Sequence, residues 1–148
     1  MKLFKNYSAI TKSLFAGLLA TTFTFLFTSC SKKIDFLKSS VVPAARGYVQ
    51  ISKDDNNNFI IHLNVESLAE ASRLTPAKKT YIVWMASKQN SPKNIGQIDT
   101  STRGYAKNLK ASFESTSATK PTKIFITAED DVNVQSPSKD IILTTGGF

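Results

Sequence analysis

The chain has 148 residues, with 19 lysines and arginines against 11 acidic residues, a single cysteine, a single histidine and a formal net charge of +8. That length fits one domain of ordinary size, and the cysteine and histidine counts exclude a disulfide framework and a Cys/His zinc site. The basic residues are dispersed, with no run longer than two and no stripe interleaved with aromatics, so nucleic acid is not an expected partner.

Lys2, Lys5 and Lys12 precede an uncharged stretch from Ser13 to Ser31, whose densest part runs from Leu14 to Phe27 and gives way to the small residues Thr28 and Ser29 before Cys30. A helix of about 14 residues is roughly 21 Å long, short of the roughly 30 Å of hydrocarbon that a spanning segment must cross. Three threonines dilute it further, so the pattern predicts a cleaved secretory signal rather than a transmembrane anchor or a buried cysteine. With its cysteine directly after the cut, the segment resembles a bacterial lipoprotein signal peptide. The resemblance implies cleavage before Cys30, a diacylglyceryl group on its sulfur and acylation of the new amino terminus. Two or three chains hold a protein on a bilayer where one holds only marginally. No other cofactor is expected, and the only thiol is consumed.

Residues 1–29 are thus read as signal peptide, 30–43 as lipidated N-terminus and tether, and 44–148 as the folded domain. The signal holds three of the basic residues and none of the acidic ones, which leaves +5 for the remainder. Residues 31–43 lack sustained periodicity and end at Pro43; a flexible tether of that size reaches roughly 20 Å. Some bacterial lipoproteins carry an acidic cluster after the lipidated cysteine that directs them to the cell surface. Lys32 and Lys33 stand there instead, so the resemblance implies a protein lipid-anchored in the bacterial outer membrane and facing the periplasm.

From Ala45 the period is two. Ala45, Gly47, Val49 and Ile51 alternate with Arg46, Tyr48, Gln50 and Ser52, a half-buried strand. Asp54 to Asn58 reads as a turn, and Phe59, Ile61, Leu63 and Val65, alternating with Ile60, His62 and Asn64, complete a hairpin. Ser67 and Glu70 have capping-box spacing and predict one short helical turn closed by Thr75-Pro76. Thr80 to Ala86 is apolar on both faces, as a central strand would be. Further strands are predicted at Ile95–Ile98, from Leu109 to Glu114, from Lys123 to Ala128 and from Asp140 to Thr144, separated by loops at Ser87–Pro92, Thr100–Gly104 and Val132–Lys139. The sum is an all-β fold, a seven-stranded antiparallel β-sandwich of immunoglobulin-like type.

Tyr81-Ile82-Val83-Trp84, Ile95-Gly96, Phe113, Ile124 to Glu129, Pro137-Ser138 and Ile142 to Gly146 follow one order that resembles the extracytoplasmic C-terminal domain of anti-sigma-K-factor-type regulators, over roughly residues 47 to 148. The resemblance implies a β-sandwich and transfers no catalytic residue. Those regulators carry a sigma-binding segment and a spanning helix ahead of the domain. A signal and lipid stand in their place here, so sigma-factor inhibition does not carry over.

Candidate chemistry is sparse. His62 falls on the polar side of its strand. Asp54 to Asn58 offers oxygen ligands, but Phe59 and Val65 occupy the places where a calcium loop needs Gly and Glu. Glu129, Asp130 and Asp131 read as solvated loop charges, and Trp84 as core. The expected function is a lipid-anchored, non-catalytic binding or structural module of the cell envelope, and no metal is expected. Its partners would be the membrane, through Cys30, and an envelope protein or polysaccharide. The outer side of the first hairpin, Tyr48, Gln50, Ile60 and His62, is the candidate partner face. A sensory or accessory component of an envelope signalling system is the alternative, and an envelope hydrolase ranks behind both. Cys30→Ala is expected to abolish incorporation of radioactive palmitate and to accumulate uncleaved precursor; continued labelling of the variant would remove the lipoprotein reading.

Overall fold

Strict alternation gives the hairpin strands one apolar side that must be buried, and two sheets can do this by closing on each other. The computed structural model describes residues 31–88, 90–98 and 110–148; Cys30, the apolar run before it, the turn from Thr100 to Gly104 and Leu109 lie outside the described residues. Ser31–Phe148 forms one unit. Among the described residues there are eight strands: β1 (Lys32–Asp35), β2 (Arg46–Lys53), β3 (Phe59–Glu66), β4 (Thr80–Ala86), β5 (Lys93–Ile98), β6 (Lys110–Ser117), β7 (Lys123–Glu129) and β8 (Ile141–Thr144). They form two four-stranded antiparallel sheets, ordered β1-β2-β3-β6 and β5-β4-β7-β8.

The apolar sides predicted from alternation are the ones buried. Val49 and Ile51 of β2 and Ile61, Leu63 and Val65 of β3 meet Tyr81, Val83 and Met85 of β4 and Ile124, Ile126 and Ala128 of β7 in a single core between the sheets. The all-β sandwich follows. Its count and wiring differ from the expectation. In an immunoglobulin sandwich the second strand pairs with the first and the fifth, whereas β2 here pairs with β1 and with its own hairpin partner β3.

The eighth strand comes from the segment read as tether. Lys32–Asp35 pairs with Ile51–Tyr48 of β2, and Ile34 and Phe36 pack against the core. Phe36 then bridges to Thr145 at the end of β8, and the Leu37 N–H donates to the Thr144 carbonyl at 2.8 Å. One short segment thereby serves both sheets and stitches the sandwich along that edge. The turn that follows is also structured: Ser39 is buried and accepts the Val42 N–H at 3.0 Å, while Val42 and Ala45 join the core. Among the described residues the folded part therefore reaches back to Lys32, ahead of the expected start at residue 44.

The opposite edge depends on a glycine. Gly96 has φ +143°, a region that side chains rarely adopt, and a Cβ there would lie 2.6 Å from Phe113 Cε2. The β4–β5 register shifts between Val83 and Trp84, a bulge that leaves Ile95 unpaired. Phe113 of β6 can thus lie directly over β5, bringing the two edge strands together.

The expected capping box at Ser67 and Glu70 does not form. Ser67 is in a left-handed conformation at φ 56°, and a 3-10 turn spans Ala71–Arg73 with Glu70 as an N-cap that makes no side-chain bond. Burial of Leu68 and Ala71 sets this segment instead of a helix start signal. Tyr81 is fully buried beneath it and donates its hydroxyl to the Ala69 carbonyl at 2.9 Å.

Burial pushes the Tyr81 phenol from 10.0 up to about 12. The folded state therefore holds this proton more tightly than the unfolded chain. Its contribution is fully present below pH 10 and is lost as pH rises through about 12. The urea midpoint of wild type is expected to fall steadily across that interval and that of Tyr81→Phe to fall less steeply; parallel curves would refute the assignment.

Candidate functional site

A two-sheet sandwich has two outer faces, and this molecule treats them differently. On the second sheet, β4 and β7 turn Ile82, Trp84, Phe125 and Thr127 away from the central core, and all four are buried. Trp84 stacks on Phe125 with ring centroids 6.3 Å apart and an interplanar angle of 12°, and Val134 from the β7–β8 connection packs against the cluster. Trp84 is core, as expected, but of this satellite cluster rather than of the layer between the sheets.

Polar groups on this face are joined in a line. Trp84 Nε1–H donates to Thr127 Oγ1 at 2.8 Å, the Thr127 hydroxyl donates to Glu129 Oε1 at 2.6 Å, and the Ser138 N–H donates to the same oxygen at 2.9 Å. Glu129 is only 6% exposed. The reading of all three acids as solvated loop charges is therefore corrected for Glu129, because alternation along β7 puts it beside Thr127 under the returning loop; Asp130 and Asp131 are exposed. Asn94 Nδ2 ties the same loop to β5 through the Val132 and Val134 carbonyls at 2.9 and 3.2 Å. Lys78 Nζ lies 2.8 Å from Asp130 Oδ2, and this contact lifts the lysine above its usual range despite the opposing effect of partial burial.

The first sheet's outer face carries the residues singled out from the sequence, and the structure brings all four together. Gln50 stands directly opposite His62; Tyr48 is two residues from Gln50 and Ile60 two from His62 on the same side. His62 is exposed, while Tyr48, Gln50 and Ile60 are half-buried, so Ile60 is less open than its position in the hairpin suggested. β1 and β6 extend the patch on either flank. Lys33 places its ammonium 4.0 Å from the centre of the Tyr48 ring. His62 Nδ1 lies 3.0 Å from Glu114 Oε2 on β6, and Gln50 Nε2 donates to Ser31 Oγ at 2.9 Å.

Towards the β2 start of this face lies an open concavity of about 590 Å³, lined by Asp35, Arg46, Tyr48, Asn64, Glu66 and Lys110 among others. Lys110 Nζ is 3.2 Å from Glu66 Oε1, and Arg46 Nε is 3.5 Å from Glu66 Oε2. The Lys110 contact, with a smaller contribution from Arg46, holds the Glu66 carboxyl below its usual range. Both cations already have a carboxylate partner, so the hollow presents paired charge, amide and phenol rather than a free anion site.

Lys33, Asp35, Ser112, Glu114 and Thr116 were not assigned to this patch from the sequence, whereas Asn64 was already placed on the same side as His62. For β1 a signal existed, since Ile34 and Phe36 alternate with Lys33 and Asp35. For β6 none did, because its partner β3 ends more than forty residues earlier. The hairpin turn is as expected: Asp54 Oδ1 accepts the N–H groups of Asn56 and Asn58 at 2.9 and 2.8 Å, and its other oxygen accepts Asn58 Nδ2 at 3.0 Å. The bond from the Asn58 side chain leads in lowering the Asp54 carboxyl. Among the described residues no three His, Cys, Asp or Glu side chains gather closely enough to hold a metal ion, and no helix is long and apolar enough to cross a membrane. No family model, curated protein or solved structure matches the chain.

Because Trp84 anchors the covered face, Trp84→Ala should cost about 3–5 kcal/mol, as large aromatic truncations in packed sites do. Trp84→Phe should cost less but loosen residues 130–140, read as faster amide exchange at Ser138. A shift below about 1 kcal/mol for the alanine variant would place Trp84 outside the load path.

Proposed function

We propose that the protein is a lipid-anchored, non-catalytic binding or structural module of the bacterial cell envelope, held on the membrane through Cys30 and offering the open face of its first sheet to an envelope protein or polysaccharide. The observation that carries the binding half is the contrast between the two outer faces. One is apolar and sealed by its own chain. The other is a broad surface of tyrosine, amides, hydroxyls and paired charges, the mixture that suits a reversible protein or sugar contact. The anchor half rests on the signal-like run and the position of Cys30 behind it.

The disposition of titratable groups favours binding over catalysis. Acid–base work needs groups held within reach of one another and of a shared substrate position. His62 and Glu114 pair across an exposed sheet surface, Glu129 is engaged under its loop, and Asp54 is turned into its own hairpin. Each of these three acids has a structural task at a different place on the molecule.

A binding surface of this kind is spread over many contacts and dominated by few. In a null strain, Tyr48→Ala and Gln50→Ala with His62→Ala should weaken complementation in a graded way, while each single substitution shifts the urea midpoint by the equivalent of less than about 1 kcal/mol, as side chains outside the core allow. Asp130→Asn with Asp131→Asn should complement fully. Complete loss of function from the acidic pair in a folded, lipidated protein, with no effect from the patch, would overturn the reading.

A further inference from the structure

The net positive charge of the described domain sits at one end of the sandwich. β1 begins there at Lys32, opposite Ile51, two residues short of the end of β2 at Lys53. β3 and β7 also start at that end, and β4, β6 and β8 finish there, because the Phe148 N–H donates to the Thr122 carbonyl at 2.9 Å and Lys32 Nζ lies 5.4 Å from the Phe148 ring. Six lysines occupy this end: Lys32, Lys53, Lys88, Lys93, Lys120 and Lys123, against Asp54 and Asp55. The remaining described residues hold eight basic and eight acidic side chains, so the whole described excess of four charges sits at this one end. The ion pairs Arg46–Glu66, Lys110–Glu66 and Lys78–Asp130 all lie elsewhere, where charges balance. Asp54, one of the two acids at the basic end, is committed to the N–H groups of its own turn.

This is also the end at which the chain enters the fold. Since β1 starts at Lys32, only Ser31 separates the sandwich from Cys30. Two residues span at most about 7 Å, in place of the roughly 20 Å that a flexible tether of residues 31–43 would reach. A lipid on Cys30 would therefore hold the strand ends within about one Debye length of the headgroups. Lysines that close to an anionic surface each contribute on the order of 1 kcal/mol.

We infer that the basic end of the sandwich, built on Lys32, Lys53, Lys93, Lys120 and Lys123, with Phe148 and Phe59 beneath the ammonium groups of Lys32 and Lys53, is a docking surface for anionic lipid headgroups. It seats the domain upright on the bilayer, so that the two outer faces stand roughly perpendicular to the membrane and the Tyr48–His62 face stays open sideways. The inference deepens the anchored reading and rests on it for its setting. Lys53 Nζ lies 5.3 Å from the Phe59 ring, and with Lys32 over Phe148 the two cations rest on half-buried aromatics that place them outward at the rim.

The test uses the chain from Ser31 to Phe148, which carries both sheets and the described core, and sedimentation with vesicles of phosphatidylglycerol or of phosphatidylcholine. At low salt this chain should partition onto phosphatidylglycerol vesicles and not onto phosphatidylcholine. Replacement of Lys53, Lys93, Lys120 and Lys123 by Gln should lower the partition coefficient about fivefold per lysine. Lys38→Gln, Arg73→Gln and Lys79→Gln together should leave it within twofold. Equal binding to both vesicles, absence of binding to either, or equal sensitivity to the two sets of substitutions would overturn the inference, as would preference for a soluble anionic polysaccharide that displaces the vesicles. This chain lacks Cys30, so the outcome is separable from lipidation. Failure here with palmitate labelling intact removes the docking surface alone; loss of labelling with partition intact removes the anchor alone.

Discussion

The hydrogen bond from Trp84 Nε1 to Thr127 Oγ1, passed on through the threonine hydroxyl to Glu129, is the contact on which the asymmetry of the molecule depends. A sheet whose outer side carries Ile82, Trp84 and Phe125 cannot face water without exposing a large apolar patch. The β7–β8 connection covers it, and a covering loop brings backbone groups that must be satisfied. Glu129 accepts the Ser138 N–H with the same oxygen that takes the Thr127 hydroxyl, so one buried carboxylate fixes both the tryptophan's polar edge and the loop above it. Leaving such a group unpaired would cost far more than the bond itself contributes.

With the second sheet closed by its own chain, the first sheet is left as the face that can meet another molecule. Its strands are stabilised by cross-strand pairs that need no cover: Lys33 over Tyr48, His62 with Glu114, Arg46 and Lys110 with Glu66. Each such pair contributes little on its own. Together they make a surface that is stable in water and still rich in groups able to exchange partners. In the proposed reading, the division between a sealed and an open face also divides roles: packing on one side, contact on the other.

The two edges are closed by different means, and both matter for exposure. Unpaired edges invite association with other chains. Lys32–Leu37 resolves one edge by serving β2 with its first half and Thr144–Thr145 with its second. The other is resolved by Phe113 lying over Gly96, where the bulge and the missing Cβ let two strands of different sheets approach. The first device has a further consequence, since a segment used to stitch the sheets cannot act as a tether. The chain therefore enters the fold directly at its basic end.

Period-two patterning determined the strands of the hairpin and their inward residues, because alternation decides which side of a strand is apolar, and an unbroken apolar run marked the central position of Thr80–Ala86. The turn at Asp54 was legible for a similar local reason: short polar side chains bond their own backbone. The signal-like run before Cys30 is likewise a matter of composition. Tertiary structure decided that Lys32–Asp35 is a strand, since so short an alternation becomes one only when β2 supplies the partner. It decided that Glu129 is buried while Asp130 and Asp131 are not, because what covers a strand's outer face depends on where a distant loop returns. It also decided that β2 takes β1 as its second neighbour, that β6 completes the candidate face and that the lysines collect at one end. Charge and face are properties of strands brought together across many residues, and no local pattern records which strands those will be.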